Sequence, residues 1–261
     1  MAENSEAFCQ ALVGYVRDHL GITTEYVSEI PWQERERLFD AGEIQVLWLC
    51  GLPYICKADV AQSDMELLAV PIPTGQRYLD RPVYFSDVVV RRDSPYQTFA
   101  DLRGAAWAYN EPRSHSGFNV VRAYLAEFGE TDGFFGEAIE SGAHTLSLGM
   151  ILGGRVDGAA IDSTVLEWIV DDRREMAEQL RVIETIGPSP IPPWVISTRV
   201  PSQWRNRLRS CLLNLHRDHH GLEILASARI ERFIASHDCD YDPIRRMARK
   251  AHCVLLAESR S

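Results

Sequence analysis

The chain has 261 residues, of which 46% are hydrophobic and 25% are charged, and its formal net charge is −10. The length suits one large domain or two lobes, and the composition is that of an ordinary soluble globular protein. The acidic balance argues against nucleic acid and anionic membranes as partners, because both require a basic face. A small anion stays open as a ligand, since it needs only local hydrogen-bond donors.

No run of about 18 apolar residues occurs, so we expect no membrane insertion. The opening residues, "MAENSE", are acidic and lack an apolar stretch, so we expect no secretory signal there. Either the protein stays in the cytosol, or the chain begins after a leader that was removed or mis-annotated. The cysteines lack CxxC pairs and zinc-ligand spacing, which predicts free, mostly buried thiols and no metal site. They are Cys9, Cys50, Cys56, Cys211, Cys239 and Cys253.

The first elements alternate between helix and strand. Asn4 or Ser5 can cap a first helix, whose apolar positions from Phe8 to Leu20 follow helical spacing and which Gly21 stops. "TTEYVSEI" then predicts a strand, and residues 33–41 predict a helix that ends at Gly42. "IQVLWL" predicts a buried strand, followed by the loop "CGLPYI" and a helical piece.

Further strands are predicted at "ELLAVPI", "VYFSDVVVRR" and "AAWAYN", with a short helix in "SPYQTFADLRG". The Pro-rich stretch "GPSPIPPW" lies between the predicted strands "RVIETI" and "WVISTRV" and is a candidate hinge. The remaining segments, "PSQWRNRLRSCLLNLHRDH", "GLEILASARIERFIAS" and "DPIRRMARKAHCVLLA", predict helices. This alternation indicates an α/β protein with mainly parallel sheets.

Two segments resemble each other. "LFDAGEIQVLWLCG" (38–51) and "ILGGRVDGAAIDS" (151–163) share a helix end, a glycine and a buried strand, with Gly42 matching Gly154. One interpretation is two similar lobes, each sending a strand-end loop into a shared cleft, where open α/β sheets bind their ligands. The other is that any protein built from βαβ units produces such an echo.

The stretch "NEPRSHSGFNVVRAYLAEFG" (110–129) places a small polar turn directly before a helix. A serine N-cap alone would produce this pattern. The alternative is an anion seat, because the first N–H groups of a helix lack partners within it and lie at its positive end. Ser114 and Ser116 would add hydroxyl donors, and Gly117 would allow close approach of a ligand. The GKS/T signature of a nucleotide triphosphate loop is absent.

Other candidates have structural alternatives. His144, at a predicted helix start, is either a core or cap histidine or a donor to an anion. Asp162, at the end of a strand, either faces a cleft or caps the next helix. Tyr54 and Tyr84 would be core aromatics in most proteins. None of the GxSxG, HExxH or Ser/His/Asp patterns occurs, so the residues themselves indicate no catalytic site and no cofactor.

In combination, several pieces resemble the phosphate/phosphite/phosphonate-type substrate-binding proteins of ABC transporters. They are "GEIQVLWLCGLPY", "LLAVPI", "VYFSDVVVRRDSPYQTFADLRG", "AWAYNEPRSHSGFNVVRAYL", "SGAHTLSLGMILGGRVDGAAIDSTVLE" and "IPPWVIS". The resemblance implies the type II periplasmic-binding fold, with two α/β lobes, hinge strands and a ligand cleft between them. Residues 1–91 and 190–261 would form the first lobe, without its usual first strand, and residues 92–189 the second.

The resemblance also implies a set of ligand-binding residues. Ser114, His115 and Ser116 would hold the oxyanion, although the family usually has Ser or Thr where His115 stands. The remaining matches are Tyr54, Tyr84, Ser86, His144 and Asp162, with Asp162 facing the distal group of the ligand, which is an amine in aminophosphonate binders. Cys50 replaces a usual glycine.

The function implied is a non-enzymatic one. The protein would capture a small phosphonate-, phosphite- or phosphate-like oxyanion and work with an ABC-transporter permease, in the periplasm. Two alternatives stay open. One is an enzyme of cofactor biosynthesis on the same fold, with His144 and Asp162 as acid and base. The other is a cytosolic ligand sensor, which the missing leader favours.

Overall fold

The structure is a computed structural model that describes residues 5–61 and 63–257. It divides into two compact units, each with its own sheet and core. The first unit comprises the described residues up to 83 together with residues 190–241. The second unit comprises residues 84–189 and the described residues from 242 onward.

The helices and strands alternate along most of the chain. The helices are α1 (Glu6–Leu20), α2 (Trp32–Ala41), α3 (Gly51–Ala58), α4 (Val120–Glu127), α5 (His144–Leu152), α6 (Ser163–Asp172), α7 (Arg174–Ala177), α8 (Ser202–Asn214), α9 (His219–Ser227) and α10 (Asp242–Ala251). The strands are β1 (Val46–Trp48), β2 (Met65–Pro73), β3 (Val83–Arg91), β4 (Ala106–Tyr109), β5 (Glu137–Glu140), β6 (Gly158–Asp162), β7 (Leu180–Pro190), β8 (Trp194–Ser197) and β9 (Ile230–Ile234).

The first unit contains a four-stranded sheet in the order β1-β8-β2-β9. Strand β8 pairs antiparallel with both β1 and β2, and β2 pairs antiparallel with β9. The apolar face of α1 packs on this sheet through residues such as Phe8 and Leu12, whose side chains lie in one cluster with Trp194, Leu212 and Phe233. Burial of these large side chains is the main source of stability of the unit.

The second unit contains a five-stranded sheet in the order β5-β4-β6-β3-β7. Strand β4 runs parallel to β5 and β6, and β3 runs antiparallel to β6. The rings of Trp107 and Phe135 stack at a centroid distance of 4.4 Å in the middle of its core. The ends of β4 and β6 and the start of β3 therefore lie at the same edge of the sheet.

The last helix belongs to the second unit. Helix α10 packs on α4, and Val254 and Leu256 lie buried in the core of that unit. The Arg122 guanidinium donates a hydrogen bond of 2.7 Å from Nε to the Val254 carbonyl. The family resemblance implies that residues 1–91 and 190–261 lie together, whereas here residues 84–91 and the described residues 242–257 lie with the second unit. An amphipathic helix joins whichever unit offers it an apolar face, which residue order does not reveal.

Several predicted elements are confirmed. Helices α1 and α2 end at Gly21 and Gly42, whose φ angles of 64° and 82° are left-handed. His144 begins α5, and Asp162 ends β6. "CGLPYI", by contrast, lies mostly within α3 rather than in a loop.

Three predictions were wrong. "TTEYVSEI" forms no strand, because no neighbouring strand pairs with residues 23–30. "GLEILASARIERFIAS" divides into α9 and the strand β9, since Phe233 and its neighbours pair with β2. The first sheet is antiparallel and the second is mixed, whereas mainly parallel sheets were expected.

The six cysteines are free, as expected, but only two of them are buried. Cys9 and Cys211 lie in the core of the first unit. Cys50 is partly exposed, and the other three are exposed. The expectation of mostly buried thiols was therefore wrong.

Candidate functional site

The turn before α4 is a short π-helix, His115–Asn119, which leads directly into α4. Ser114 is its N-cap, and its hydroxyl accepts a hydrogen bond of 3.1 Å from the Gly117 amide. The Asn119 amide bonds to the Ser114 carbonyl at 3.0 Å, five residues back. This wider winding is often found at functional sites. The cap alternative for Ser114 is therefore realised, and an anion seat on the same turn is compatible with it.

The polar face of this turn is buried. Ser114 and Ser116 are 2% and 4% exposed. The Ser116 amide lies at the start of the turn, where the backbone offers no main-chain acceptor within the helix. Buried polar groups normally have hydrogen-bond partners, so a buried turn of this kind is suited to hold a polar guest.

His144 lies directly against Ser116. Its Nε2 is 2.9 Å from the Ser116 hydroxyl oxygen. Burial lowers the pKa of His144 to about 4, so the imidazole is neutral near pH 7. The other ring nitrogen, Nδ1, is buried and has no hydrogen-bond partner in the described part of the chain. A neutral imidazole that accepts from Ser116 at Nε2 carries its proton at Nδ1, where it is a donor.

Gly117 brings a further polar side chain into the same place. A Cβ atom at Gly117 would lie 2.0 Å from Asn110 Oδ1 and 3.3 Å from the Cε1 atom of His144. Only a residue without a side chain allows this approach. Asn110 follows β4, and its Oδ1 is buried without a partner among the described residues. Thr145, next to His144, has a buried hydroxyl of the same kind.

The antiparallel pair β3 and β6 contributes Ser86 and Asp162, which lie opposite each other. The Ser86 hydroxyl is buried and has no partner within residues 5–61 and 63–257. Asp162 caps α6 by accepting hydrogen bonds of 2.8 Å and 2.7 Å from the amide and the hydroxyl of Thr164. Burial, partly offset by these bonds, raises the pKa of Asp162 to about 6. The cap alternative holds for this residue too.

His115 points away from the other candidates. Its Nε2 lies 3.0 Å from the Ser189 hydroxyl, and its Nδ1 lies 3.0 Å from Nδ2 of Asn119. The residue is 0% exposed, and burial lowers its pKa to about 3. The Tyr84 ring stands edge-on to it at a centroid distance of 6.4 Å.

Because both ring nitrogens of His115 are engaged, the imidazole links the π-helical turn to β7. This placement runs against a side-chain role for His115 in ligand binding. The prediction stands only for its main chain.

Tyr54 lies in the first unit, on α3. Its hydroxyl donates a hydrogen bond of 2.8 Å to Asp238, and its ring lies 4.4 Å from that of Tyr241. The side chain is buried within that unit. The structure thus gives Tyr54 a packing role there, and its ligand contact stays a prediction.

The second unit brings together a set of polar residues that we call the polar cradle. Three of the predicted residues, Ser114, Ser116 and His144, form its centre, and Ser86 lies on β3 at the same edge of the sheet. Sequence reasoning missed Asn110 and Thr145. The signals were available, because Asn110 is the first polar residue after a buried strand and Thr145 adjoins His144. The polar cradle consists of Ser86, Asn110, Ser114, Ser116, Gly117, His144 and Thr145.

Comparison with known proteins identifies the family. A model of the family described as "ABC transporter, phosphonate, periplasmic substrate-binding protein" matches residues 2–241. The chain belongs to this family. It is a family of transporter solute-binding proteins of the periplasm, and the resemblance read from the sequence is confirmed.

Solved structures agree on the type II periplasmic-binding fold. A binding-protein component of an ABC phosphonate transporter from Pseudomonas aeruginosa is 18% identical, with a TM-score of 0.84 over 97% of this chain and 83% of that one. PhnD1 from Prochlorococcus marinus, in complex with methylphosphonate, is 17% identical, with a TM-score of 0.80 over 97% and 94%. An ancestral arginine-binding protein is 13% identical, with a TM-score of 0.58 over 84% and 86%.

Two features of the described residues concern membranes and metal ions. None of the helices is both long enough and apolar enough to cross a membrane. Within the same residues, His, Cys, Asp and Glu side chains form no cluster that could hold a metal ion.

Proposed function

We propose that the polar cradle binds a small phosphonate-like oxyanion. The observation that carries this proposal is the set of buried polar atoms without protein partners, namely Ser86 Oγ, Asn110 Oδ1, His144 Nδ1 and Thr145 Oγ1. A buried polar group left unsatisfied costs about 1–3 kcal/mol. A ligand removes this penalty if it accepts from Ser86, His144 and Thr145 and donates to Asn110 Oδ1 from a hydroxyl of its own. The protein is thereby prepared for an oxyanion that keeps one hydroxyl hydrogen.

The electrostatics of the polar cradle suit an anion. The π-helical turn continues into α4, and His144 begins α5, so two helix starts contribute. The positive ends of helix dipoles and their first amides favour negative charge. Hydroxyl, amide and neutral imidazole groups add donors, and hydrogen bonds to an ionised oxygen are roughly twice as strong as neutral ones. A tetrahedral oxyanion can accept from several such donors at once.

The state of Asp162 bears on which phosphonate fits. Its carboxylate already accepts two hydrogen bonds from Thr164, at the start of α6. The role that the family resemblance implies, contact with an amine of the ligand, would compete with this cap. We therefore expect methylphosphonate and phosphite to bind at least as well as 2-aminoethylphosphonate.

The protein acts by binding and release, without turnover, and delivers its ligand to an ABC permease in the periplasm. Family membership supports this role. The cofactor-biosynthesis alternative requires His144 or Asp162 to move protons. Prolonged incubation of a bound phosphonate with the protein, followed by ³¹P NMR, is expected to return it unchanged.

Isothermal titration calorimetry tests the binding site. Wild-type protein is titrated with methylphosphonate, phosphite, phosphate and sulfate. Ser116→Ala removes a hydroxyl that faces His144 and is expected to weaken binding of the preferred oxyanion by about 1–3 kcal/mol, or roughly 5- to 150-fold. Ser210→Ala, at an exposed position on α8, is the matched control and should leave the affinity unchanged.

Two outcomes would contradict the proposal. One is wild-type protein that binds none of these oxyanions. The other is a Ser116→Ala variant that binds the preferred one as tightly as wild type does.

A further inference from the structure

The imidazole of His115 lies in the interior beneath the π-helical turn of the polar cradle. The residue is 0% exposed, and its two ring nitrogens make different contacts. Nδ1 lies 3.0 Å from Nδ2 of Asn119, at the end of the same turn. Nε2 lies 3.0 Å from the Ser189 hydroxyl oxygen, on β7. Neither contact involves the groups that would hold the oxyanion, so the side chain requires a separate explanation.

The two partners determine where the imidazole carries its proton. A side-chain amide nitrogen only donates hydrogen bonds, so Nδ1 of His115 accepts from Asn119. A neutral imidazole has a single N–H, which is then at Nε2 and donates to the Ser189 hydroxyl. Ser189 is 1% exposed, so solvent does not compete for this proton. The ring therefore makes two directed bonds, one within the turn and one to the sheet.

The bond within the turn joins the two ends of the π-helix, because His115 and Asn119 are its first and last residues. In the main chain, the Asn119 amide bonds to the Ser114 carbonyl, five residues back. The Val120 amide bonds to the His115 carbonyl with the same spacing. A π-helical turn is rare compared with an α-helical one, so contacts outside the main chain have to favour it. The side-chain bond between His115 and Asn119 is such a contact.

The bond to β7 attaches the turn to a part of the sheet that is distant in sequence. Ser189 is 74 residues from His115 along the chain. It is the last residue of the second unit before the chain enters the first unit at residue 190. The Tyr84 ring, which stands edge-on to the imidazole, belongs to the first residue of the second unit. The imidazole thus lies beside two of the positions at which the chain passes between its units.

The position of Ser116 depends on the winding of this turn. Its hydroxyl oxygen lies 2.9 Å from Nε2 of His144. If the turn relaxed to the tighter α-helical winding, the residues after His115 would rotate about the helix axis. Ser116 would then lose its position against His144, and the Gly117 amide, which bonds to the Ser114 hydroxyl, would move with it. The oxyanion site is therefore formed only in the π-helical winding.

We propose that His115 is a positioning residue of the oxyanion site, whose imidazole keeps the turn in its π-helical winding by joining Asn119 to Ser189. It does not touch the ligand, and it acts through Ser116 and the amides of the turn. The inference rests on the proposed function, because oxyanion affinity is the property that His115 would change. A histidine that serves stability alone would leave this affinity unchanged.

A double-mutant cycle tests this role, with affinities for methylphosphonate and phosphite measured by calorimetry. Ser189→Ala removes the acceptor of the Nε2 proton and should weaken binding about fivefold, as expected for the loss of one hydrogen bond. His115→Phe keeps a ring but removes both bonds, and should weaken binding about tenfold or more. In the His115→Phe background, Ser189→Ala should change the affinity by less than about twofold, because Ser189 acts only through the imidazole.

The matched control is Ser197→Ala, a buried serine on β8 in the first unit, which should lower stability without changing the affinity. Circular dichroism checks that the variants are folded. If His115→Phe is not, Ser189→Ala against Ser197→Ala carries the comparison. Two further measurements follow the turn itself. Amide hydrogen exchange at Asn119 should be faster in Ser189→Ala than in wild type, and ¹⁵N NMR of wild type should show the His115 proton at Nε2.

Three results would overturn the positioning role while the proposed function stands. The first is wild-type binding that Ser189→Ala leaves unchanged, and the second is a fully additive cycle, in which Ser189 acts independently of His115. The third is a His115 proton at Nδ1. Wild-type protein that binds neither methylphosphonate nor phosphite is a different result, because it contradicts the proposed function itself and the positioning role with it.

Discussion

The segments around β1 and β6 follow the same local pattern in different surroundings. Helices α2 and α5 are followed by Gly42 and Gly154, with φ angles of 82° and 68°, and each is succeeded by a short strand. Strand β6 lies inside its sheet and is buried for all but its last residue, whereas β1 is an edge strand with one buried residue of three. The local sequence pattern therefore determines the turn after the helix. The neighbouring strands determine whether the strand that follows is buried within its sheet or exposed at its edge.

The two units consequently offer different chemistry. Around the end of β6, the Ser86 hydroxyl and the Oδ1 atom of Asn110 are buried without a hydrogen-bond partner in the described part of the chain. Beside β1, which is an edge strand of its sheet, the side chains that line a cavity of about 380 Å³ are mainly apolar. Of the two arrangements, the first suits a small anion.

The largest effect on oxyanion affinity is expected from Gly117→Ala, because the added methyl group would occupy space in the polar cradle. The new methyl group would lie 2.0 Å from Asn110 Oδ1, so Asn110 must move away. We expect a loss of about 100-fold in oxyanion affinity, as overpacking of this kind typically costs 1–3 kcal/mol. Calorimetry measures it. The control is Gly149→Ala on α5, where a Cβ meets nothing within 4 Å. Similar affinity for both variants would show that Asn110 is irrelevant.

Acid should destabilise the second unit before the first. Burial lowers the pKa values of His115 and His144 to about 3 and about 4, from 6.5 in the unfolded chain. Below pH 6.5 the unfolded chain binds protons at these histidines that the folded chain does not. The free energy of unfolding therefore decreases as the pH is lowered. Asp162 acts oppositely below its pKa of about 6, because there the folded state holds a proton that the unfolded state, with a pKa of 3.8, releases. The contribution of Asp162 to the pH dependence of the unfolding free energy therefore cancels about that of one histidine.

The net expectation is a loss of about 1.4 kcal/mol in unfolding free energy per pH unit between about pH 6 and pH 5. Urea unfolding followed at several pH values measures it. His115→Asn should flatten the dependence by removing one titrating group. In the first unit, burial raises the pKa values of Cys9 and Tyr26 to about 11 and about 12, outside this range. A level profile for the wild type would contradict the burial of both imidazoles.

The smallest effects are expected at the matched glycines. Gly42→Ala and Gly154→Ala each force a side chain into a left-handed conformation, at about 1–2 kcal/mol. Gly42→Ala should reduce the stability slightly more, because its Cβ would lie 2.7 Å from the Arg199 guanidinium, which is too close. The Cβ at position 154 would lie 3.8 Å from the Arg91 guanidinium, which is an ordinary contact. Denaturant midpoints measure both. Gly14→Ala, in the open middle of α1, should stabilise the protein slightly. If neither Gly42→Ala nor Gly154→Ala changes the stability, the two glycines do not have the shared structural role that the comparison assigns to them.

Much of the fold could be predicted because local signals agreed with it. Local sequence alone predicts three features: the glycines after α1 and α2, the apolar stripe of α1 and the turn at Ser114. The family resemblance supplied the architecture. Residues 23–30 and 230–234 could not be assigned, since strand formation depends on a neighbour far along the chain. β9 has β2 to pair with, and residues 23–30 have none.

The residues at the centre of the polar cradle could be predicted from the sequence, and those at its margins could not. Ser114, Ser116 and His144 stand in recognisable sequence contexts. His115 stands between two serines, and only the positions of Ser189 and Asn119 show that its ring faces the interior. Asn110 is revealed by its contact with Gly117, a proximity that spacing along the chain does not encode.

The placement of α10 has a consequence for biosynthesis. The first unit requires residues 190–241, and the second requires the segment from Asp242 that includes the buried Val254 and Leu256. Neither unit can complete its core until translation has passed most of the chain, and the one with the polar cradle is completed last. The emerging polypeptide thus stays incompletely folded until the segment with Val254 and Leu256 has been synthesised.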